Sequence, residues 1–153
     1  SRVIVQQFDE NTIGVHIRGL VNRLVWQLGT DKAVQLNSFP PLSAWANLIE
    51  EAIRSNPNAN FFVCSDDYEN VRKLISTFDS RILNSEEQTV YPRESFEGQI
   101  QAFVELYTLG SLKNLIGTDQ STFTFEAYHY ACSKFGQENV DIKFVWNRGE
   151  YSK

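Results

Sequence analysis

Two groups of polar residues in this chain have side chains suited to binding phosphate. His16 and Arg18 end a segment rich in β-branched residues, and Ser121 and Thr122 stand at the start of a helical pattern. Arginine offers a permanent positive charge and a planar set of donors that can bind two phosphate oxygens at once. The amino terminus of a helix adds free backbone N–H groups and the positive end of the helix dipole. These residues together predict a site for a small anionic ligand.

Each of these residues also has a purely structural interpretation. A histidine at a strand end can be a packed, hydrogen-bonded residue. Ser121 and Thr122 can be a helix cap without any ligand. Asp66 and Asp67 directly follow an apolar run, and Asp66 with Glu69 three residues later matches a capping box that would open a helix. His129 lies in an aromatic-rich helical segment and is predicted to be structural.

Several motifs of common nucleotide and hydrolase sites are absent from the sequence. Neither GxGxxG nor GxxxxGK[ST] occurs, which disfavours dinucleotide and P-loop chemistry. The patterns HExxH, GxSxG and CxxC are also missing, so no motif supports a zinc protease, a serine hydrolase or a thioredoxin.

The elements that must position these residues alternate along the chain. Short apolar or alternating segments predict strands at 12–18, 60–64, 81–83, 114–117 and 142–146. Apolar residues at three- and four-residue spacing predict four helices: from Pro40 to Asn56, after Asp66, after Ser95, and after Thr122 to Gly136. The segment 20–39 has no clean period and is predicted to be an excursion after the first strand.

Two of these helices have predicted packing faces. In the second, the face is formed by Val71, Leu74, Ile75 and Phe78, and in the last by Phe125, Tyr128, Ala131, Cys132 and Phe135. The helix after Ser95 is marked by the apolar residues Ile100, Phe103, Val104, Tyr107 and Leu109.

This alternation predicts an α/β fold, a Rossmann-like and mostly parallel sheet with helices on both faces. Residues 1–153 are expected to form one domain, because no repeat or linker interrupts the pattern. In such sheets ligands bind beyond the carboxyl ends of the strands, where the polar residues above are placed.

Composition limits the classes of function. Apolar residues make up 42% of the chain, aromatic residues 13%, and the net charge is −5. That balance predicts a globular core and provides no basic field for nucleic acid or an anionic membrane. Cys64 and Cys132 are too few for a disulfide scaffold and are expected to be small buried residues. The absence of Met suggests a piece of a longer product.

Three segments resemble the motifs of a known superfamily, in order and across about residues 12–135. They are Gly14 to Arg18, Ser65 to Asp67, and the block from Glu97 through Glu105 to Phe123. They are similar to the motifs of the GDP-fucose-dependent fucosyltransferases, which include nodulation, core N-glycan and protein O-fucosyltransferases. The resemblance implies the carboxyl-terminal, donor-nucleotide-binding half of a GT-B glycosyltransferase.

The resemblance also implies roles for individual residues. Arg18 would bind the β-phosphate of GDP and act as the catalytic residue, with His16 beside the nucleotide. Ser121, Thr122 and Phe123 match the third motif, whose hydroxyls and backbone amides receive the phosphates.

Three acidic residues complete the expected donor site. Glu105 takes the place of a carboxylate that accepts hydrogen bonds from guanine, where Asp is the commoner residue. Asp66 and Asp67 match the second motif and would orient loops around the nucleotide. No metal and no cofactor are expected, because this family is similar to metal-independent transferases.

One departure from the family leaves the activity open. The family usually has a second arginine after the first, whereas Arg18 is followed here by Gly19. Losing one group that stabilises the leaving diphosphate can cost on the order of 10²–10³ in rate. The alternatives to a fucosyltransferase-like enzyme are therefore an inactive nucleotide- or glycan-binding module and a packing domain without a ligand.

Partners and compartment follow from the same considerations. The expected partner is a nucleotide-sugar donor, with an unknown glycan or protein acceptor bound by another domain or partner chain, and neither nucleic acid nor a membrane. The sequence lacks an N-x-[ST] acceptor for N-glycosylation, and its two cysteines have no obvious pairing. These features favour a bacterial or viral cytoplasm, with the secretory lumen as the alternative.

Overall fold

The strands form one sheet with a parallel centre. The computed structural model describes residues 7–18, 42–84, 91–92, 94–119 and 121–145, and the backbone of 151–152. Within these ranges the order is β2-β1-β3-β4-β5, with β1 to β4 parallel and β5 antiparallel to β4. The strands are β1 (Thr12–Ile17), β2 (Asn60–Ser65), β3 (Asn114–Thr118), β4 (Asp141–Val145) and β5 (Tyr151–Ser152).

Four α-helices connect or flank these strands in the described ranges. They are α1 (Leu42–Ser55), α2 (Tyr68–Phe78), α3 (Phe96–Leu109) and α4 (Thr122–Phe135). Gly136 ends α4 at a backbone φ of 90°, a left-handed conformation that glycine adopts without steric cost. The predicted alternation of strands and helices is confirmed.

The two faces of the sheet carry separate cores. Val15 and Val63 point to one face and pack with Trp45 of α1 and Val71 of α2. On the other face the core includes Phe62, Cys64 and Leu115 of the strands, Leu109 of α3, and Ala127 and Ala131 of α4. Because successive strand residues point to opposite faces, each central strand is apolar on both sides. The predicted α/β sheet with helices on both faces is therefore confirmed.

The segment 81–83 is not a strand, contrary to the prediction. Only Ile82 bridges to Phe61, and a short 3₁₀ turn at Asp79–Arg81 precedes it. The Asn84 side chain then accepts from the Val63 N–H at 2.8 Å and donates to the Val63 carbonyl at 2.7 Å. A side-chain amide thus replaces the backbone that a longer edge strand would supply.

The orientation of α3 is not what its apolar spacing suggests. Leu109 is buried, but Phe96 is 73% and Phe103 62% exposed, and Ile100, Val104 and Tyr107 are exposed as well. The residues that α3 buries are instead Gly98, Gln101 and Leu109. Its most apolar strip therefore faces away from the sheet.

The predicted packing faces of α2 and α4 have different outcomes. In α2, Val71 and Leu74 are buried, and Ile75 and Phe78 pack at the edge of the same core. In α4, Ala131 is buried and Tyr128 and Phe135 are partly buried, but Phe125 is 36% exposed. Cys64 is buried as expected, whereas Cys132 is only half-buried.

The order of the strands places a crevice at one edge of the sheet. Strands β1 and β3 are neighbours, yet α1, which follows β1, lies on one face, and α4, which follows β3, lies on the other. Ligands of open α/β sheets bind where successive connections diverge in this way, at the carboxyl ends of the strands. The segment 20–39, Gly19 and Trp146 lie outside the described residues. No helix in the described ranges is long and apolar enough to span a bilayer.

Candidate functional site

A buried hydrogen-bond network joins the carboxyl ends of β1 and β3. His16 Nδ1 lies 2.7 Å from Thr124 Oγ1, and the Thr118 N–H donates to the same oxygen at 3.1 Å. The Thr118 hydroxyl donates to the His16 carbonyl at 2.9 Å and accepts from the Arg18 N–H at 3.1 Å. His16, Thr118 and Thr124 are all at most 6% exposed. Two strands and one helix are thus fixed to each other by polar groups at the ligand edge.

The amino terminus of α4 lies directly beside this network. Ser121 is only 1% exposed and caps the helix, with its side chain accepting from the Thr124 N–H. Thr122 is exposed. The predicted capping role of Ser121 is confirmed, and the helix terminus is at the edge where an anion would meet its N–H groups.

Phe123 covers one side of the histidine. The two rings lie with their centroids 4.6 Å apart and their planes 26° from parallel. Such stacking, together with the Nδ1 contact, leaves the His16 ring little freedom to rotate. The sequence predicts that His16 and Phe123 both belong to the donor site, and the structure brings their rings into contact.

Arg18 is the last described residue after β1. Its backbone is held by Thr118, and its side chain is half-buried. Within the described part of the chain its guanidinium forms no ion pair with a carboxylate. Because the Arg18 backbone lies at the edge where α4 begins, its guanidinium can add positive charge to that of the helix dipole.

The aspartate that caps α2 is not the one that the sequence predicts. Asp67, not Asp66, caps α2: its side chain accepts from the Glu69 N–H at 3.1 Å, and its own N–H donates to the Ser65 hydroxyl. The capping box at Asp66 is therefore wrong by one residue. An aspartate can cap through the second residue of the helix as well as the third, so spacing alone did not decide between the two.

Glu105 lies on the face of the sheet that also carries His16. The Glu105 carboxylate lies near the thiol of Cys64, whose residue is the register partner of His16. Burial raises the pKa of the Cys64 thiol well above its usual value, and the negative Glu105 adds to that effect. Glu105 thus lies near the carboxyl end of β2, beside the β1–β3 crevice.

The predicted site residues fall into two adjoining groups. One group, at β1, β3 and α4, contains His16, Arg18, Ser121, Thr122 and Phe123. The other, at β2, α2 and α3, contains Asp66, Asp67 and Glu105. Because β1 and β2 are paired through Ile17 and Ser65, both groups lie along the same edge of the sheet.

One residue of the network was not identified from the sequence. Thr124, which connects His16 to Thr118, was missed, and the only sequence signal for it is a hydroxyl three residues after the predicted cap. His129, which is predicted to be structural, is exposed and contacts Tyr128 with ring centroids 5.7 Å apart. Among the described residues, no group of three His, Cys, Asp or Glu side chains could hold a metal ion.

Comparison with known proteins gives a limited result. No protein-family model matches the chain, and no curated protein matches it significantly. Among solved structures it is similar to that of NodZ alpha-1,6-fucosyltransferase soaked with GDP-fucose, at 18% identity and a TM-score of 0.47. That similarity covers 96% of this chain and 43% of the fucosyltransferase chain, so the protein spans less than half the length of the enzyme it matches.

Proposed function

We propose that this chain binds a guanosine diphosphate sugar at the carboxyl edge of β1 and β3 and forms the donor half of a fucosyltransferase-like enzyme. The observation that carries the proposal is the buried network of His16, Thr118 and Thr124, which joins the Arg18 backbone to the strand end that leads into α4. This places one arginine and one helix terminus, both favourable to anions, at the edge where α/β sheets bind nucleotides.

The diphosphate would occupy the space between Arg18 and the start of α4. Arg18 can form two parallel hydrogen bonds to the β-phosphate, and Ser121 and Thr122 begin the helix whose N–H groups would bind the other oxygens. In the transfer, the bond between the anomeric carbon and the β-phosphate oxygen breaks as the acceptor oxygen attacks that carbon. Negative charge then grows on the departing GDP, and groups already oriented toward it lower the barrier.

The guanine ring of the nucleotide would be recognised by the group of acidic residues at β2, α2 and α3. A carboxylate such as Glu105 can accept from both N1–H and the exocyclic amine of guanine, a pair of donors that uracil lacks. Asp66 and Asp67 would orient the neighbouring loop, with Asp67 doing so through its cap on α2. The acceptor hydroxyl, and the base that removes its proton, would be provided by a further domain or a partner chain.

Calorimetric titration of the purified chain with GDP, GDP-fucose and UDP tests this proposal. We expect GDP and GDP-fucose to bind and UDP to bind more weakly by more than about 1 kcal/mol, since uracil lacks the pair of donors that guanine offers to the half-buried Glu105 carboxylate. Glu105→Gln should reduce the difference between GDP and UDP. Equal affinity for the two nucleotides in the unmodified chain would contradict the proposal.

A second function is favoured by one residue of the sequence. Gly19 stands where the family has a second arginine, so the chain can be a nucleotide- or glycan-binding module that has lost catalysis. Hydrolysis of radiolabelled GDP-fucose by the chain would identify an enzyme, because a binding module holds the nucleotide without releasing fucose. A Gly19→Arg variant that gains hydrolysis without gaining affinity for GDP would identify the missing group.

A further inference from the structure

We infer that Thr124 is a positioning residue for His16, which it holds in the tautomer that carries its proton on Nε2. This inference deepens the proposed function, because it specifies how the histidine would meet the nucleotide: as a hydrogen-bond donor. It stands on the contacts of one buried hydroxyl and on the stacking of one ring.

The position of the Thr124 hydroxyl proton decides which nitrogen of His16 is protonated. This oxygen is buried and has two partners in the described structure, the Thr118 N–H at 3.1 Å and His16 Nδ1 at 2.7 Å. An amide N–H can only donate, so the hydroxyl accepts from Thr118. A buried hydroxyl proton without an acceptor costs free energy, and among the described residues Nδ1 is the acceptor that the Thr124 hydroxyl contacts. The hydroxyl therefore donates to Nδ1.

The consequence for the imidazole follows from its chemistry. A neutral ring that accepts at Nδ1 carries its proton at Nε2. Phe123, stacked at 4.6 Å, keeps the ring from turning over and exchanging the two nitrogens. Nε2 of His16 is therefore a hydrogen-bond donor. It can donate to an oxygen or a ring nitrogen of a nucleotide but cannot accept from one of its N–H groups.

The surroundings of Thr124 keep its hydroxyl against His16 Nδ1. The residue is 3% exposed and belongs to the first turn of α4, which Ser121 caps. The Thr118 N–H fixes the hydroxyl oxygen from the side of β3. Because the hydroxyl oxygen accepts from the Thr118 backbone and contacts His16 Nδ1, a rotation of either side chain would break a buried hydrogen bond.

Nuclear magnetic resonance of the ligand-free protein tests the tautomer directly. The chain has 2 histidines, so His129→Gln, at an exposed position, leaves His16 as the one labelled ring. At about pH 8, where a histidine of ordinary pKa is neutral, we expect ¹⁵N shifts of a protonated Nε2 and an unprotonated Nδ1. A proton found on Nδ1 would overturn the inference, whatever the protein binds.

Variants of Thr124 then separate positioning from folding. Thr124→Ser keeps the hydroxyl and should retain the Nε2–H tautomer, whereas Thr124→Val should give a mixture of tautomers and weaken GDP binding roughly three- to tenfold, the range for a lost hydrogen bond. Thr77→Val is the matched control, since that exposed hydroxyl bonds only to its own helix at the Lys73 carbonyl. If Thr124→Val fails to fold, the spectra of the unmodified chain and of Thr124→Ser still decide the question.

Comparing the binding of guanosine with that of GDP shows whether His16 contacts a phosphate or the guanine ring. If Thr124→Val weakens GDP but leaves guanosine unchanged, Nε2 donates to a phosphate oxygen, and if both weaken equally it donates to the base. Either result supports the inference, and an unchanged affinity for both ligands would overturn it. If the unmodified chain binds no nucleotide, the proposed function fails while the tautomer remains measurable.

Discussion

Gly117 lies so close to Thr124 that no larger residue fits between β3 and α4. A Cβ at position 117 would be 2.2 Å from Thr124 Cγ2, well inside the distance at which carbon atoms repel. The absence of a side chain on β3 therefore allows the first turn of α4 to approach the strand. The same approach brings the Thr124 hydroxyl to the Thr118 N–H and to His16.

Gly117→Ala should consequently lower the free energy of unfolding by about 1–3 kcal/mol, the usual cost of overpacking a tight interior. It should also weaken GDP binding, because the new Cβ would push the first turn of α4 away from β3 and so disturb the contact between Thr124 and His16. Chemical denaturation and calorimetric titration of the same protein samples measure the two effects.

Thr124→Ser tests whether the clash with Thr124 is what destabilises Gly117→Ala. Serine lacks Cγ2, the atom with which the new Cβ would collide, but keeps the hydroxyl. The double variant should therefore be less destabilised than the sum of the two single variants, a coupling that a double-mutant cycle detects. Strict additivity would show that the clash between residues 117 and 124 is not the reason for the loss.

Arg18 is predicted to act on the ligand and not on the fold. Arg18→Ala should weaken GDP binding by roughly 1.5–3 kcal/mol, the range for hydrogen bonds to charged groups, and leave guanosine binding unchanged. Arg18→Lys should recover part of the loss, because an ammonium group keeps the charge but does not form two parallel bonds to one phosphate.

The controls for Arg18 use stability and a second arginine. Because the Arg18 side chain makes no ion pair within the described residues, the melting temperature without ligand should barely change. Arg54→Ala, at an exposed position in the last turn of α1, should alter neither property. A large drop in melting temperature with intact GDP affinity would make Arg18 a structural residue.

The elements of this fold could be predicted because each is encoded locally. The residues of β2 are almost all apolar because both faces of that strand are covered. In α1 the three- and four-residue spacing of apolar residues ends before Asn56 and Pro57, where the helix also ends. Ser95 and Ser121 were identified as helix starts, because a serine cap acts on residues only two or three positions away.

The failures concern contacts that depend on distant parts of the chain. The sequence marks α3 by its apolar residues, but Gly98 and Gln101 face inward while Phe103 faces out, and only the neighbouring elements decide that rotation. Thr124 was missed for the same reason. Its role depends on His16, a residue 108 positions away along the chain.

GDP binding is predicted to need no divalent metal. The acidic pair after β2 is the candidate for metal binding, but Asp67 already accepts a hydrogen bond from the backbone of α2. The part of the chain that the structure describes contains no cluster of three suitable ligands. Affinity for GDP should therefore be the same in EDTA and in magnesium. Loss of binding in EDTA that magnesium restores would assign the two aspartates a different role.

The stability of the fold at alkaline pH should depend on Tyr68. Burial raises the pKa of this phenol from 10.0 to about 12, with the nearby Arg72 guanidinium opposing the shift and the Glu105 charge adding to it. In the unfolded chain the phenol has its ordinary pKa of about 10. Between these two values the unfolded state loses the proton while the folded state keeps it. The stabilisation is therefore complete below about pH 10 and is lost as the pH rises toward 12.

Urea unfolding between about pH 9 and about pH 11 measures this loss. The free energy of unfolding should fall more steeply with pH in the unmodified chain than in Tyr68→Phe, which has no proton to lose. Tyr107→Phe, at an exposed position, is the matched control and should fall as steeply as the unmodified chain. The Cys64 thiol, whose pKa is also raised by burial, contributes in the same direction, so the comparison is repeated in a Cys64→Ala background. If Tyr68→Phe and the unmodified chain fall equally with pH in that background, the buried phenol is not the group responsible.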